Sequence, residues 1–225
     1  MREGPLNLWR ELRSARYALL LALMCLGIWL NAADTLVTVT IMPSVARAIG
    51  GYEWFGWTVA AYLVGSILAS ACAARLAGDF GIRRMTILFG LVYAAGCALG
   101  ALAPAMPLFV LGRFVQGIGA GAIVALCYIA IPGNFPERVW PAVFGAISAI
   151  WGIATLFGPL LGGLFATGQH WRTLFWLFAA QALIFAALIR WLAAADGQVD
   201  AAKGIPARQL ALLLSSVTAL GSAGL

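Results

Sequence analysis

Apolar residues run along this chain in six long blocks, at roughly 17–42, 54–77, 85–104, 106–131, 139–166 and 171–194, divided by short polar, Gly- or Pro-containing breaks. A spanning helix needs about 20 mostly apolar residues at a rise of about 1.5 Å each. Every block reaches that length, so the pattern predicts six transmembrane helices. A seventh block begins near 209, and the sequence ends inside it at Leu225. On that pattern the chain is expected to be the first half of a larger protein. Backbone groups in lipid must bond within their own segment, and no stretch alternates over ~10 residues as a barrel strand does. The expected fold class is an all-α integral membrane protein, a six-helix transmembrane bundle plus the start of a seventh helix. The first block exceeds the about 7–15 apolar residues of a signal peptide, and no small-residue cleavage site follows it. It is expected to stay in the membrane.

The breaks divide the chain further. Residues 1–16 read as an amphipathic cytoplasmic lead-in, 17–194 as the six-helix half, 195–208 as a cytoplasmic linker and 209–225 as the start of a truncated second half. The external loops are expected at 43–53, 104–107 and 167–170.

Composition agrees. The 225 residues are 63% hydrophobic and 10% charged, too little charge for the surface of a soluble domain. The formal net charge of +6 could suggest nucleic acid, but its distribution argues otherwise. The face holding both ends of the six-helix block carries eleven of the 14 basic residues, and the opposite face carries only Arg47 and Arg172. The positive-inside rule then places the N-terminus in the cytoplasm, and a bacterial cytoplasmic (inner) membrane is expected. Trp54, Trp171 and Trp191 fall near span ends, where indoles favour the interface. Cys25, Cys72, Cys97 and Cys127 lie inside apolar blocks without metal spacing and read as packing residues. No metal site is expected.

Two ionisable side chains lie well inside the spans, Asp34 and Arg113. Each costs about 2.5–3.5 kcal/mol at a helix centre on the insertion scale. Asp34 lies about 12 Å before the end of an outward span and Arg113 about 10 Å after the start of an inward one, so their depths match. Two roles are open to them: a static ion pair that fixes packing, or a site facing a wet cavity. Burial disfavours a charged carboxylate, a nearby guanidinium favours it, and entry of water or substrate changes the balance. That combination makes a proton switch, with Asp34 loading from one side and releasing to the other. Arg113 keeps its own proton and can only pair or modulate. Asn31, about one turn before Asp34, is a candidate for the same cavity; Gln116 is another, or else bonds a neighbouring helix, and Tyr62 and Trp151 have two roles open, contact with an aromatic substrate or lipid and packing contact.

Several stretches together resemble the major facilitator superfamily. DTLVTVTIMP in the first span resembles the signature of its drug:proton antiporter branch through Asp34, Thr35, Val37 and Pro43, with Val39 where that branch commonly has Asn. LGRFVQGIGAG in the fourth is similar to the superfamily's R-x-x-Q-G-x-G-x-G through Arg113, Gln116, Gly117, Gly119 and Gly121. GIATLFGPLLGG in the fifth resembles the antiporter signature through Gly152, Gly158, Pro159, Gly162 and Gly163, and HWRTLFWL resembles the stretch opening the sixth span. RLAGDFGIRRM after the second span fits less well the loop that forms a cytoplasmic charge latch. Asp79, Gly81, Arg83 and Arg84 are its candidates, with Asp79 pairing Arg83 or Arg84, and ordinary loop charge is the alternative.

The resemblance implies a 12- or 14-span transporter of two halves, with small-molecule substrate held between them and protons as co-substrate. Alternating access would rock this half, in the lipid bilayer, against a missing C-terminal half. Export of small, possibly amphipathic or drug-like compounds by proton antiport is the leading expectation. A proton symporter for a small metabolite and a truncated, non-transporting interaction protein are the alternatives. The antiporter motif implies packing glycines and a Pro159 bend that keep the central cavity from leaking. No phosphate-binding G-x-x-x-x-G-K-[ST] loop occurs, so energy is expected from an ion gradient without a cofactor. The single His170 and sparse acids argue against an enzyme.

Overall fold

A computed structural model of the chain describes residues 15–166 and 170–192, together with Ser215. The predicted lead-in, the linker and the start of a seventh helix lie outside the described residues, apart from the first turn of the first helix and Ser215. Six helices follow in order: α1 Ala15–Ile49, α2 Phe55–Phe80, α3 Ile82–Leu102, α4 Met106–Asn134, α5 Trp140–Ala166 and α6 Trp171–Leu192. All six are long and apolar enough to cross a membrane. Among the described residues there is no strand.

The first helix differs from its sequence-based prediction. It does not stop at Pro43 but continues to Ile49 with the proline inside it. Proline removes one backbone donor and strains the preceding turn. Here it faces outward, and the following turn is held by burial of Ser44, Val45 and Ala46. Ser44 Oγ also donates to the carbonyl of Ala166 at 2.7 Å, joining the C-terminal ends of α1 and α5. The expected 43–53 loop therefore shrinks. Gly50 and Gly51 reverse the chain at φ 74° and 80°, left-handed values that suit glycine.

Helix α4 is the hub. It packs along α2 and α3 over most of its length, while α1 packs along α5 and α3 along α6. Glycines on two faces of α4 permit this. A Cβ on Gly117 would collide with the Tyr62 carbonyl of α2, and one on Gly121 would collide with the Ser66 carbonyl. On the α3 side, a Cβ on Gly119 would sit 2.5 Å from Tyr93 N and one on Gly112 2.8 Å from Gly100 N. Small residues let backbones meet, which in lipid replaces the hydrophobic drive between helices. The remaining face of α4 turns to α1, with Ile123 and Cys127 against Gly27.

Trp171 corrects the interfacial expectation. It is buried rather than anchored in headgroups, edge-on to Phe109 at 5.9 Å and Phe175 at 6.2 Å. Trp191, 82% exposed, and Trp54 remain on the surface near helix ends. Arg172 ties the start of α6 to the end of α3. Its Nη1 donates to the Ala101 carbonyl at 2.6 Å, a carbonyl in the last turn of α3 that has no partner within its own helix.

Candidate functional site

The α1–α4 contact contains a closed polar cluster. Asp34 and Gln116 are fully buried, and Arg113 and Thr38 are nearly so. Arg113 and Gln116 stand three residues apart on α4, hence on one face. Arg113 Nη1 lies 3.0 Å from Asp34 Oδ1 and 2.9 Å from Oδ2. The same nitrogen donates to Gln116 Oε1 at 2.6 Å. Gln116 Nε2 donates to Asp34 Oδ1 at 2.9 Å and to Cys97 Sγ at 3.1 Å. Thr38 Oγ1 donates to Asp34 Oδ1 at 3.2 Å. Three of the five hydrogen bonds that α4 side chains donate here end on the Asp34 carboxylate, one on the Gln116 amide and one on Cys97.

A second layer surrounds it. The Arg113 guanidinium lies over the Tyr62 ring of α2, 4.2 Å from its centroid. Desolvated contacts of this kind are worth about 2 kcal/mol. The Tyr62 hydroxyl donates to Asn31 Oδ1 at 2.6 Å, and the Tyr93 hydroxyl of α3 donates to the Leu30 carbonyl at 3.2 Å. Arg113 Nε is buried with no acceptor. The cluster is therefore a charge pair whose guanidinium bonds through Nη1, with the Nε–H buried and without an acceptor.

Of the residues anticipated from sequence, Asp34, Arg113 and Gln116 meet directly, and Asn31 and Tyr62 join through the cation–π contact. Trp151 does not join them. It is an exposed residue of α5 whose carbonyl accepts a bond from Thr155 Oγ1 at 2.8 Å. The fifth-span glycines separate into two sets. Gly158 and Gly162 pack on α1, where an added Cβ would lie 2.7 Å from Leu36 Cβ and 2.6 Å from Thr40 Cβ. Gly152 and Gly163 pack on nothing among the described residues: a Cβ there meets no atom within 4 Å. Pro159, next to Gly158, lies inside α5 on its exposed side.

The loop charges also differ from the expected latch. Asp79 pairs with Arg75 at 3.6 Å, both about half exposed, instead of with Arg83 or Arg84. The two sit four apart on α2, so the helix brings them together, and an exposed pair contributes about 0–1 kcal/mol. Arg83 Nη2 donates to the Arg190 carbonyl at the end of α6. Arg84 is exposed, and Gly81 makes the turn between α2 and α3 at φ 89°.

Sequence reasoning missed Thr38, Cys97 and Tyr93. Thr38 carried a signal, since it stands four residues after Asp34 on the same face. Cys97 and Tyr93 carried none, because nothing in α3 announces which face meets α1 and α4.

Six helices long and apolar enough to span a membrane, closed around a buried charge pair, define a polytopic helical membrane protein. The family model described as Major Facilitator Superfamily matches residues 24–222, and the chain belongs to that superfamily. A probable multidrug-efflux transporter of Mycobacterium tuberculosis (strain ATCC 25618 / H37Rv) is 35% identical over 178 residues, 79% of this chain and 37% of that protein. Vacuolar basic amino acid transporter 5 of Saccharomyces cerevisiae (strain ATCC 204508 / S288c) is 33% identical over 159 residues, 71% of this chain and 27% of that protein. The chain thus spans about a third of the length of these curated relatives. Among solved structures, a D-xylose–proton symporter superposes with TM-score 0.69 at 18% identity, over 93% of this chain and 53% of that one. At that identity the likeness shows the fold alone.

Proposed function

We propose that this chain is the N-terminal half of a proton-coupled secondary transporter that exports small, amphipathic or drug-like compounds by alternating access. The observation that carries the reading is Asp34: a carboxylate fully buried in a spanning helix, paired with an arginine of a second helix. Ionisable residues inside membranes are costly and mark ion or proton pathways. Here Asp34 exchanges the proton, Arg113 holds it when charged, and Gln116 bridges the two. Similarity to a protein named as a multidrug-efflux transporter supports the substrate class.

The remaining parts follow from that reading. The proton gradient supplies energy without a cofactor, a C-terminal half completes the substrate cavity, and the protein is a transporter rather than an enzyme. It resides in a bacterial cytoplasmic membrane with its N-terminus inside.

The test uses the full-length gene product in proteoliposomes, with ethidium as an amphipathic cationic probe. Antiport predicts ethidium movement opposite to an imposed proton gradient, and symport predicts movement with it. Asp34→Asn keeps the side-chain shape but exchanges no proton, so gradient-driven flux should fall to the level of empty vesicles. Wild-type flux and an unchanged pH profile in Asp34→Asn would show that Asp34 is not the proton carrier.

A further inference from the structure

Five hydroxyls inside these helices share one habit. Thr35, Thr40, Ser70, Thr86 and Thr155 each donate to the backbone carbonyl four residues earlier. That back-bond is the usual outlet for Ser and Thr in a helix. Thr38 departs from it. Its hydroxyl passes over the backbone and donates to the side chain of the residue four earlier, Asp34 Oδ1.

Counting hydrogens shows what this does. Gln116 Nε2 has two, one used on Asp34 Oδ1 and one on Cys97 Sγ. Arg113 Nη1 has two for three acceptors: Gln116 Oε1, Asp34 Oδ1 and Asp34 Oδ2. One of its hydrogens is therefore shared between the carboxylate oxygens. Oδ1 receives Gln116, Thr38 and half of that shared hydrogen. Oδ2 receives only the other half. In a buried site an anionic oxygen with so little donation is the one left to accept a proton. When Oδ2 takes it, Oδ1 becomes the carbonyl oxygen and keeps Gln116, Thr38 and the arginine hydrogen. The donors already in place keep their acceptor, and the new Oδ2–H is the one donor added to the site.

We infer that Thr38 is a positioning residue of the proton site: it saturates Asp34 Oδ1 and so directs protonation to Oδ2. The inference rests on the reading that Asp34 carries the proton. The other titratable or charged groups facing Asp34 are Arg113 of α4, Tyr62 of α2, and Tyr93 and Cys97 of α3. None comes from α5, which has no titratable side chain, or from α6, whose two arginines lie at its ends.

Infrared difference titration of the full-length transporter tests it. The protonated-carboxyl C=O band of Asp34 is assigned by its loss in Asp34→Asn. Thr38→Val removes the donor and keeps the shape, so the charged form loses support. The band should then develop at a midpoint about one pH unit higher, the low end for a hydrogen bond to a charged group. With the proton on Oδ2, the band should also move to higher frequency, because its carbonyl oxygen loses a donor. Thr38→Ser should restore both values. If Thr38→Val does not fold, Thr38→Ala takes its place. An unchanged midpoint, an unchanged frequency, or a serine variant displaced as far as valine would overturn the role of Thr38 and leave the proton-carrier reading standing. A parent protein with no titrating Asp34 band would overturn both.

Discussion

Arg113→Leu is expected to destabilise the folded bundle by about 3–5 kcal/mol, the usual cost of leaving one member of a buried ion pair without the other. The loss has identifiable parts. Asp34 Oδ2 and Gln116 Oε1 lose the one donor the structure gives each. The Tyr62 ring loses its cation. What remains is a carboxylate at 0% exposure with no countercharge. Replacing both members by apolar residues of similar volume is a different case, often neutral or stabilising. The double variant Asp34→Leu/Arg113→Leu should therefore recover most of the thermal stability in detergent while losing coupled transport. Thermal unfolding of parent, single and double variants measures this as a cycle. An Arg113→Leu protein as stable as its parent would show that the pair does not hold α1 to α4.

The second large effect concerns backbone contact. Gly117→Val should abolish the folded monomer, or cost about 3 kcal/mol or more, because its Cβ would overlap the Tyr62 carbonyl. A collision with backbone cannot be relieved by changing a rotamer; α2 and α4 would have to separate. Gly65 makes the same demand in return, since its Cβ would strike the Phe114 carbonyl. The separation would also move Tyr62 off Arg113, so packing and the charge site fail together. Gly56→Ala is the control. Its Cβ meets nothing within 4 Å, and folded yield on size-exclusion chromatography should match the parent. Equal yields for Gly56→Ala and Gly117→Val would refute the close approach of α2 and α4.

The residues that carry these predictions differ in how far the sequence revealed them. Hydrophobic block length sufficed for six helices, because the bilayer thickness sets a minimum run that the chain must meet. Isolation in an apolar block singled out Asp34 and Arg113, because charge in lipid is too costly to be incidental. Depth counted along each helix also matched them, since the rise per residue is constant. Pro43 misled, because a local rule about proline cannot weigh the packing of Ser44, Val45 and Ala46 beyond it. Trp171 misled for a similar reason: an indole at a span end favours the interface unless aromatic partners such as Phe109 and Phe175 enclose it.

By itself, then, the sequence determined the membrane, the helix count and the two charged residues, all properties of single segments against a fixed solvent. Only the tertiary structure decided partners. Whether Asp34 touches Arg113, whether Asp79 pairs with Arg75 or Arg83, and which of the α5 glycines pack depend on how helices distant in sequence are rotated and set beside one another. Thr38 shows the limit most closely. Its spacing from Asp34 is written in the chain, but the choice of carboxylate over backbone carbonyl is made by an acceptor that Arg113 and Gln116 hold in place from another helix.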